Sequence, residues 1–287
     1  MKDIPVRKIH TAPDEPTSSD SFSIRDLKTL LDGEDIVQEL HRHDYFYILA
    51  LEKAAGAHKI DFTPYEVCDH CVFFMRPGQV HELLLKAETT GYLMVFKTEF
   101  YHPQGNVSNQ PLRTASNKNL CLIEADRFKK MFAILTYIFH EYREKQNGYI
   151  DVIKANLGIF FIELLRQRRN SSNNLKNENT FLQERLERLS TLLDTHITTH
   201  KQVSQYADML NLTPYQLNSM TKTTLGKTGS EIINEHIVLE AKRYLLATSN
   251  QVNQIAYHLG YEDVSYFIRF FKKHTGHSPE TFRQNFK

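Results

Sequence analysis

Apolar positions along the chain change period twice, and each change marks a different kind of element. Between residues 22 and 123 they come as short β-branched and aromatic runs, among them Tyr45 to Leu51, Cys71 to Met75 and Gly91 to Phe96. Turn formers at Pro64, Pro77-Gly78 and Pro103 separate these runs, a pattern that predicts a small antiparallel β-barrel or sandwich. From Ala125 to Gln146 the period becomes helical, with Phe128, Met131, Phe132, Leu135, Ile138, Phe139 and Tyr142 on one stripe. After a turn at Gly148, the set Ile150, Ile153, Leu157, Phe160, Phe161, Leu164 and Leu165 repeats the pattern from Tyr149 to Arg168. Two adjacent antiparallel helices are expected. Their stripes either pack wholly on their own sheet or leave a face for a second copy of the chain, and a homodimer through residues 125–168 is the expectation. Asn170 to Thr180 is almost wholly polar with one aliphatic residue, which marks a linker. Beyond it the pattern is helical with no strand signal.

The helical half contains a weak internal repeat. Gln202-Val203, Ala207 and Leu210 recur as Gln251-Val252, Ala256 and Leu259 at an offset of 49, and Gly226 recurs as Gly276 at 50. Each unit reads as helix, tight turn, helix. In the second, Gly260 takes the left-handed conformation and Asp263 caps the next helix; in the first, Asn211 makes the turn, Thr213 caps and Pro214 opens the helix. Small Ala207 and Ala256 let the paired helices approach closely. At about 100° per residue, Val264, Phe267, Phe270 and Phe271 face inward while Ser265, Arg269, Lys272 and Lys273 face outward. In the first unit Pro214, Leu217, Met220 and Thr221 face inward, and Tyr215, Gln216, Ser219, Lys222 and Thr223 outward. Such outward sets are where a recognition helix presents side chains to a major groove. Gly229 to about Ala247 reads as one helix of ~27 Å. That length suits two recognition helices about one DNA turn (~34 Å) apart, reading a direct repeat from one side of the duplex. Ser278 and Pro279 then start a final short helix carrying Arg283, expected close to phosphate.

Composition narrows the class. The 287 residues suit two domains, and 41% hydrophobic with 24% charged residues is a globular balance and not a disordered one. A net charge of +1 excludes a polycation that coats nucleic acid, yet residues 241–287 carry 7 basic and 3 acidic side chains, so positive charge gathers near the C-terminus. No run approaches the ~20 apolar residues of a membrane span, and the first residues lack a signal-peptide core. A cytoplasmic protein without membrane contact is expected. Three cysteines are too few for a disulfide framework. Cys68 and Cys71 form a lone C-x-x-C, for which accidental spacing before a strand is favoured over a redox switch. Phosphate-binding glycine loops, a G-x-S-x-G elbow and H-E-x-x-H are absent from the sequence, so no enzyme activity is expected.

The stretch IAYHLGYEDVSYFIRFFKKHTGHSPETFRQ carries a family signature: a helix-turn-helix, a Phe-Lys-Lys run and a Gly-x-Ser-Pro-x-x-Phe-Arg ending. Through it, residues 181–287 resemble the DNA-binding domain of the AraC/XylS family of bacterial transcription regulators. The resemblance implies base-reading positions at Val264, Ser265, Ile268 and Arg269, with Tyr266 beside them, and at Tyr215, Gln216 and Ser219 in the first unit. The first unit departs from the family pattern, with Ser219 where arginine is frequent and Thr221 where a large apolar residue is frequent. Earlier, His41-Arg42-His43 and Arg76-Pro77-Gly78-Gln79-Val80-His81 have the two-part layout of a cupin barrel, similar to the small-molecule sensing domain that many members carry. A pocket lined by His41, His43, Tyr45, Tyr47 and His81 would suit a polar small molecule. The position where a cupin metal site has its carboxylate is Tyr47, so no metal and no cofactor are expected. The implied architecture is α+β: a cupin-like effector-binding and dimerisation domain over residues 1–169 with its two antiparallel helices, a linker at 170–180, and an all-α DNA-binding domain at 181–287 whose two helix-turn-helix units are joined by a long helix. The implied partners are double-stranded promoter DNA, a small-molecule effector, a second copy of the chain and RNA polymerase. The alternative is a cupin metalloenzyme fused to a DNA-targeting module.

Overall fold

The apolar runs of the first half become strands, and several are buried on both faces. The computed structural model describes residues 6–7, 21–101, 110–171 and 178–285, and the chain divides between residues 173 and 174 into two compact units. Along the first unit run β1 (Val6–Arg7), β2 (Phe22–Asp26), α1 (Leu27–Leu31), β3 (Ile36–His43), β4 (Phe46–Lys53), β5 (Gly56–Ile60) and β6 (Thr63–Val67). They are followed by β7 (Cys71–Met75), β8 (Val80–Leu85), β9 (Thr90–Phe96), α2 (Gln110–Ser116), β10 (Leu120–Leu122), α3 (Ala125–Glu144) and α4 (Tyr149–Ser171). The strands form two five-stranded sheets, ordered β1-β3-β8-β5-β6 and β10-β7-β4-β9-β2. Among the described residues the one parallel pairing is the short contact of β1 with β3.

Strand β4 explains why its sequence is a continuous apolar run and not an alternation. Its Tyr47, Leu49 and Leu51 enter a core shared with Ile60, Val67, Leu83 and Leu85 of the other sheet. Its Ile48 and Ala50 point the opposite way, into a second core with Phe128, Leu135, Ile138 and Phe160 of α3 and α4. A strand covered on both faces has no polar side to display. The apolar stripes of the two helices are thereby taken up by their own sheet, and the large apolar residues they still expose are Tyr137 (49%), Ile159 (49%) and Ile162 (43%). Helix α3 stops two residues earlier than its pattern predicts, where Lys145 turns left-handed (φ 50°) and its N–H bonds the Glu141 carbonyl.

Helix enters the expected linker at 170–180 from both ends. Helix α4 runs to Ser171 and the next helix, α5 (Glu178–His196), already includes the end of the polar stretch; residues 172–177 lie outside the described ones. Polar composition reports solvation, and a solvated helix turn is as polar as a loop.

The second unit is wholly helical in its described residues: α5 is followed by α6 (Val203–Met209), α7 (Pro214–Leu225), α8 (Gly229–Ala247), α9 (Val252–His258), α10 (Val264–Thr275) and α11 (Pro279–Asn285). Helix α8 is the hub, touching α6, α7, α9, α10 and α11. It buries Ile233, Ile237, Ala241 and Leu245 among them. Its start is fixed by a reciprocal cap in which Thr228 accepts from the Glu231 N–H and the Glu231 carboxylate accepts from the Thr228 N–H.

Candidate nucleic-acid interface

The two repeats close with the same backbone hydrogen bonds, although different residues make them. In the second, Gly260 sits at φ +73°, its N–H bonds the Tyr257 carbonyl, and the Tyr261 N–H reaches back to Ala256. In the first, Asn211 sits at φ 54°, its N–H bonds Asp208, and the Leu212 N–H reaches back to Ala207. This is the helix-ending motif that a left-handed residue permits, and glycine and asparagine are the two that adopt it at low cost. Caps then launch the second helices: Thr213 accepts from the Gln216 N–H at 3.2 Å, and Asp263 accepts from the Ser265 N–H at 2.7 Å. Both alanines at the crossing, Ala207 and Ala256, are fully buried.

Helix α10 buries Phe267 and Phe271, with Val264 and Phe270 half-buried beside them. Ser265, Tyr266, Arg269, Lys272 and Lys273 are exposed, and Ile268 is half-buried at the edge of that face. Arg269 lies 3.8 Å from the Asp263 carboxylate, a surface pair worth little by itself, so its guanidinium stays available. Helix α7 buries Leu217, Met220 and Thr221, the last donating its hydroxyl to the Asn218 carbonyl. Tyr215, Gln216, Ser219 and Lys222 are exposed, Tyr215 at 81%. Pro214, expected inward, is exposed, because the first residue of α7 precedes the turn that meets the core. The Gln216 carbonyl oxygen is engaged in the cap, accepting from the Thr213 N–H at 2.9 Å.

Arg283 departs from the sequence expectation of a phosphate contact. It is 6% exposed, donates through Nε to the Leu245 carbonyl at 2.9 Å and through Nη2 to the Asn250 carbonyl at 2.6 Å. Both carbonyls lie where α8 ends and the chain turns toward α9, so the guanidinium fastens α11 to that corner. Sequence periodicity marks a residue's direction on its own helix; it carries no information about a backbone 38 positions earlier that happens to need a donor.

In the first unit, a register shift in β3 between Gln38 and His41 sets His41 directly opposite His81 of β8. His41, His43 and His81 are buried, and their Nε2 atoms stand 3.1 Å (His41 to His43), 2.8 Å (His43 to His81) and 2.9 Å (His81 to His41) apart. Tyr47 stacks on His43 at 5.4 Å with 9° between the rings, and the Tyr45 ring packs on His43 at 4.4 Å with a 30° tilt. The five residues expected to line a pocket are thus packed against one another. His58 on β5 joins them, its Nε2 2.8 Å from His81 Nδ1, and burial drives its pKa down to about 3, with His41 adding to the effect. The sequence reading missed His58 because no motif includes it; its signal is period-two alternation, since His58 and Ile60 are the inward positions of β5.

A separate groove of about 480 Å³ lies against α3, lined by Glu52, His70, Phe128, Phe132, Thr136 and His140 among others. Cys71 is buried, which pushes its thiol up to about 12. A buried thiol of that kind is a poor nucleophile, so Cys71 has no redox activation of its own.

Residues 206–285 match a family of helix-turn-helix domains. Over 249 residues the chain is 25% identical to the HTH-type transcriptional activator RhaS of Escherichia coli O157:H7, covering 85% of this chain and 87% of that one. It is 33% identical over 96 residues to the bifunctional transcriptional activator/DNA repair enzyme AdaA of Bacillus subtilis, covering 33% of this chain and 46% of that protein. Among solved structures, unsaturated fatty acid-bound ToxT of Vibrio cholerae aligns over 92% of this chain and 95% of its own at 18% identity and a TM-score of 0.43. No described helix is long and apolar enough to cross a membrane.

Proposed function

With the chain a member of the AraC/XylS family of transcription regulators, we propose that it reads a direct repeat in promoter DNA through α7 and α10 and answers to a small molecule held in the N-terminal unit. The observation that carries the reading is the pair of identically closed turns, each followed by a capped helix with an exposed polar face, both packed on α8. Base edges are assigned to Tyr215, Gln216, Ser219, Val264, Ser265, Tyr266, Ile268 and Arg269, and phosphates to Lys222, Lys272 and Lys273. Selection from random duplexes tests this: two half-sites in direct orientation, centred about 10–10.5 bp apart, support it. A single half-site, or no preference over scrambled competitor, overturns it.

Substitutions separate the two kinds of contact. Arg269→Ala is expected to cost on the order of 1–3 kcal/mol on the preferred site and to relax preference at one base position. Lys272→Ala weakens all sequences alike and lowers the salt slope of binding by about one unit. Titrations over a panel of site variants at several salt concentrations read both, and a sequence-selective loss in the lysine variant would contradict its assignment.

The groove beside α3 supports the effector assignment, since it sets the apolar Phe128 and Phe132 beside the polar Glu52, His70 and Thr136, a lining that suits a small amphiphilic or polar molecule. An effector acts by favouring one arrangement of the chain over another, and RNA polymerase is the partner that would sense the change in a cytoplasmic regulator. The homodimer through residues 125–168 is supported by Ile159 and Ile162, which stay exposed one turn apart on α4. Ile162→Asp is expected to yield a folded monomer, seen as halved mass in sedimentation or light scattering with an unchanged circular dichroism spectrum; a dimer of wild-type strength would remove this helix from the interface.

A further inference from the structure

We propose that His41, His43 and His81 bind one divalent first-row transition-metal ion through their Nε2 atoms, clipping β3 to β8 inside the N-terminal unit. The site is independent of the DNA-reading assignment, and nothing in that assignment requires it.

Spacing is the first argument. Two imidazole nitrogens at about 2.0–2.1 Å from a shared ion and at right angles to each other stand about 2.9 Å apart, against about 3.3–3.4 Å for a tetrahedral pair. The three separations here are 3.1, 2.8 and 2.9 Å. They match three adjacent corners of an octahedron, and all three nitrogens belong to one cluster of potential ligand atoms.

Proton bookkeeping is the second. An imidazole nitrogen carries either one proton or one lone pair. Three of them converging on one another cannot all hydrogen-bond among themselves, because each would have to donate and accept through a single position. A cation accepts all three lone pairs at once. The outer nitrogens of His41 and His81 are arranged to keep their inner ones unprotonated. His41 Nδ1 is 2.7 Å from the Glu39 carbonyl, which only accepts, so the His41 proton sits on Nδ1 and leaves Nε2 as a donor to metal. His81 Nδ1 is 2.8 Å from His58 Nε2, and with its proton directed there His81 too offers Nε2 inward. His58 is therefore a positioning residue, in the way a partner behind a ligand histidine fixes its tautomer.

Chemistry then narrows the ion. An all-imidazole donor set suits iron, nickel, copper or zinc, and disfavours magnesium and calcium, which take oxygen ligands. The residue at the carboxylate position, Tyr47, stacks on His43 instead of completing a charged ligand set.

The test uses the full chain without a histidine tag, stripped with chelator, loaded separately with Ni(II), Zn(II) or anaerobic Fe(II), desalted and analysed for metal. One ion retained per chain with at least one of these metals, together with a rise in the melting temperature of the N-terminal unit, is the expected result. His43→Gln and His81→Gln lower the affinity at least 100-fold, whereas substitution of His196 and His200, a neighbouring pair in the second unit, leaves it unchanged. His58→Phe weakens binding on the order of 10-fold and His58→Gln, which can still accept from His81, restores most of it. No saturable retention by wild-type protein, or equal retention by the His43 and His81 variants, overturns the site. If those variants fail to fold, proton NMR of Co(II)-loaded wild-type protein decides. Strongly shifted imidazole signals traced to His41, His43 and His81 support the site, and shifts traced to His196 or His200 overturn it.

Discussion

Gly260→Ala is expected to destabilise the C-terminal unit by on the order of 3 kcal/mol or more and to abolish specific DNA binding at ordinary temperatures. Two separate costs meet at this position. The backbone is left-handed at φ +73°, where a Cβ is strained by about 1–2 kcal/mol. The new Cβ would also stand 2.0 Å from the Thr198 carbonyl oxygen and 3.2 Å from its carbon, backbone atoms that cannot rotate away, with Lys201 Nζ at 2.7 Å. Lys201 is itself tied to that carbonyl at 3.1 Å and lies over the Tyr261 ring, so the segment before α6 and the turn after α9 must separate together. Gly276→Ala provides the contrast. That residue is equally left-handed, at φ +80°, but no atom lies within 4 Å of its would-be Cβ. Its substitution should cost only the strain, about 1–2 kcal/mol. Urea unfolding followed by a probe in the second unit measures both, and equal losses for the two variants would mean that the Thr198 contact does not matter.

Arg283→Met should cost about 3 kcal/mol in the same unit, through stability and not through lost contact with DNA. The thioether fills much of the stem's volume but cannot donate, which leaves the Leu245 and Asn250 carbonyls without the two N–H groups that now serve them. An unserved buried acceptor costs about 1–3 kcal/mol and the Leu245 carbonyl is one, whereas the Asn250 carbonyl, on an exposed residue, loses less because water can reach it. Arg283→Lys should recover only part, because a single ammonium cannot span both carbonyls as the planar guanidinium does. The DNA measurement discriminates the roles. At a temperature where the variant is fully folded, the salt slope of binding should equal that of wild type. A slope lower by about one unit with unchanged stability would restore Arg283 to the phosphate contacts and overturn the structural role.

Some features were legible in the sequence because short-range rules govern them. Asn211 and Gly260 are left-handed, Thr213 and Asp263 cap, and the α8 helix spans the predicted Gly229 to Ala247, since each depends on backbone geometry within about one turn. The inward and outward faces of α7 and α10 follow from helical period alone, apart from Pro214, whose position in the first turn takes it beyond the packed surface. The strands β4 and β7 were visible as apolar runs for the same local reason.

Tertiary structure decided the rest. The sequence by itself determined that two capped helix pairs would form and that a β-rich unit would precede them. It did not determine that Arg283 would turn inward to carbonyls from another helix, that a shift in β3 would set His41 against His81, or that His58 would stand behind that pair. Caps, turns and periodic faces are settled by neighbours along the chain. A buried donor's partner, and the meeting of side chains from β3, β5 and β8, depend on which strands and helices become adjacent, and that adjacency arises only when the whole unit packs.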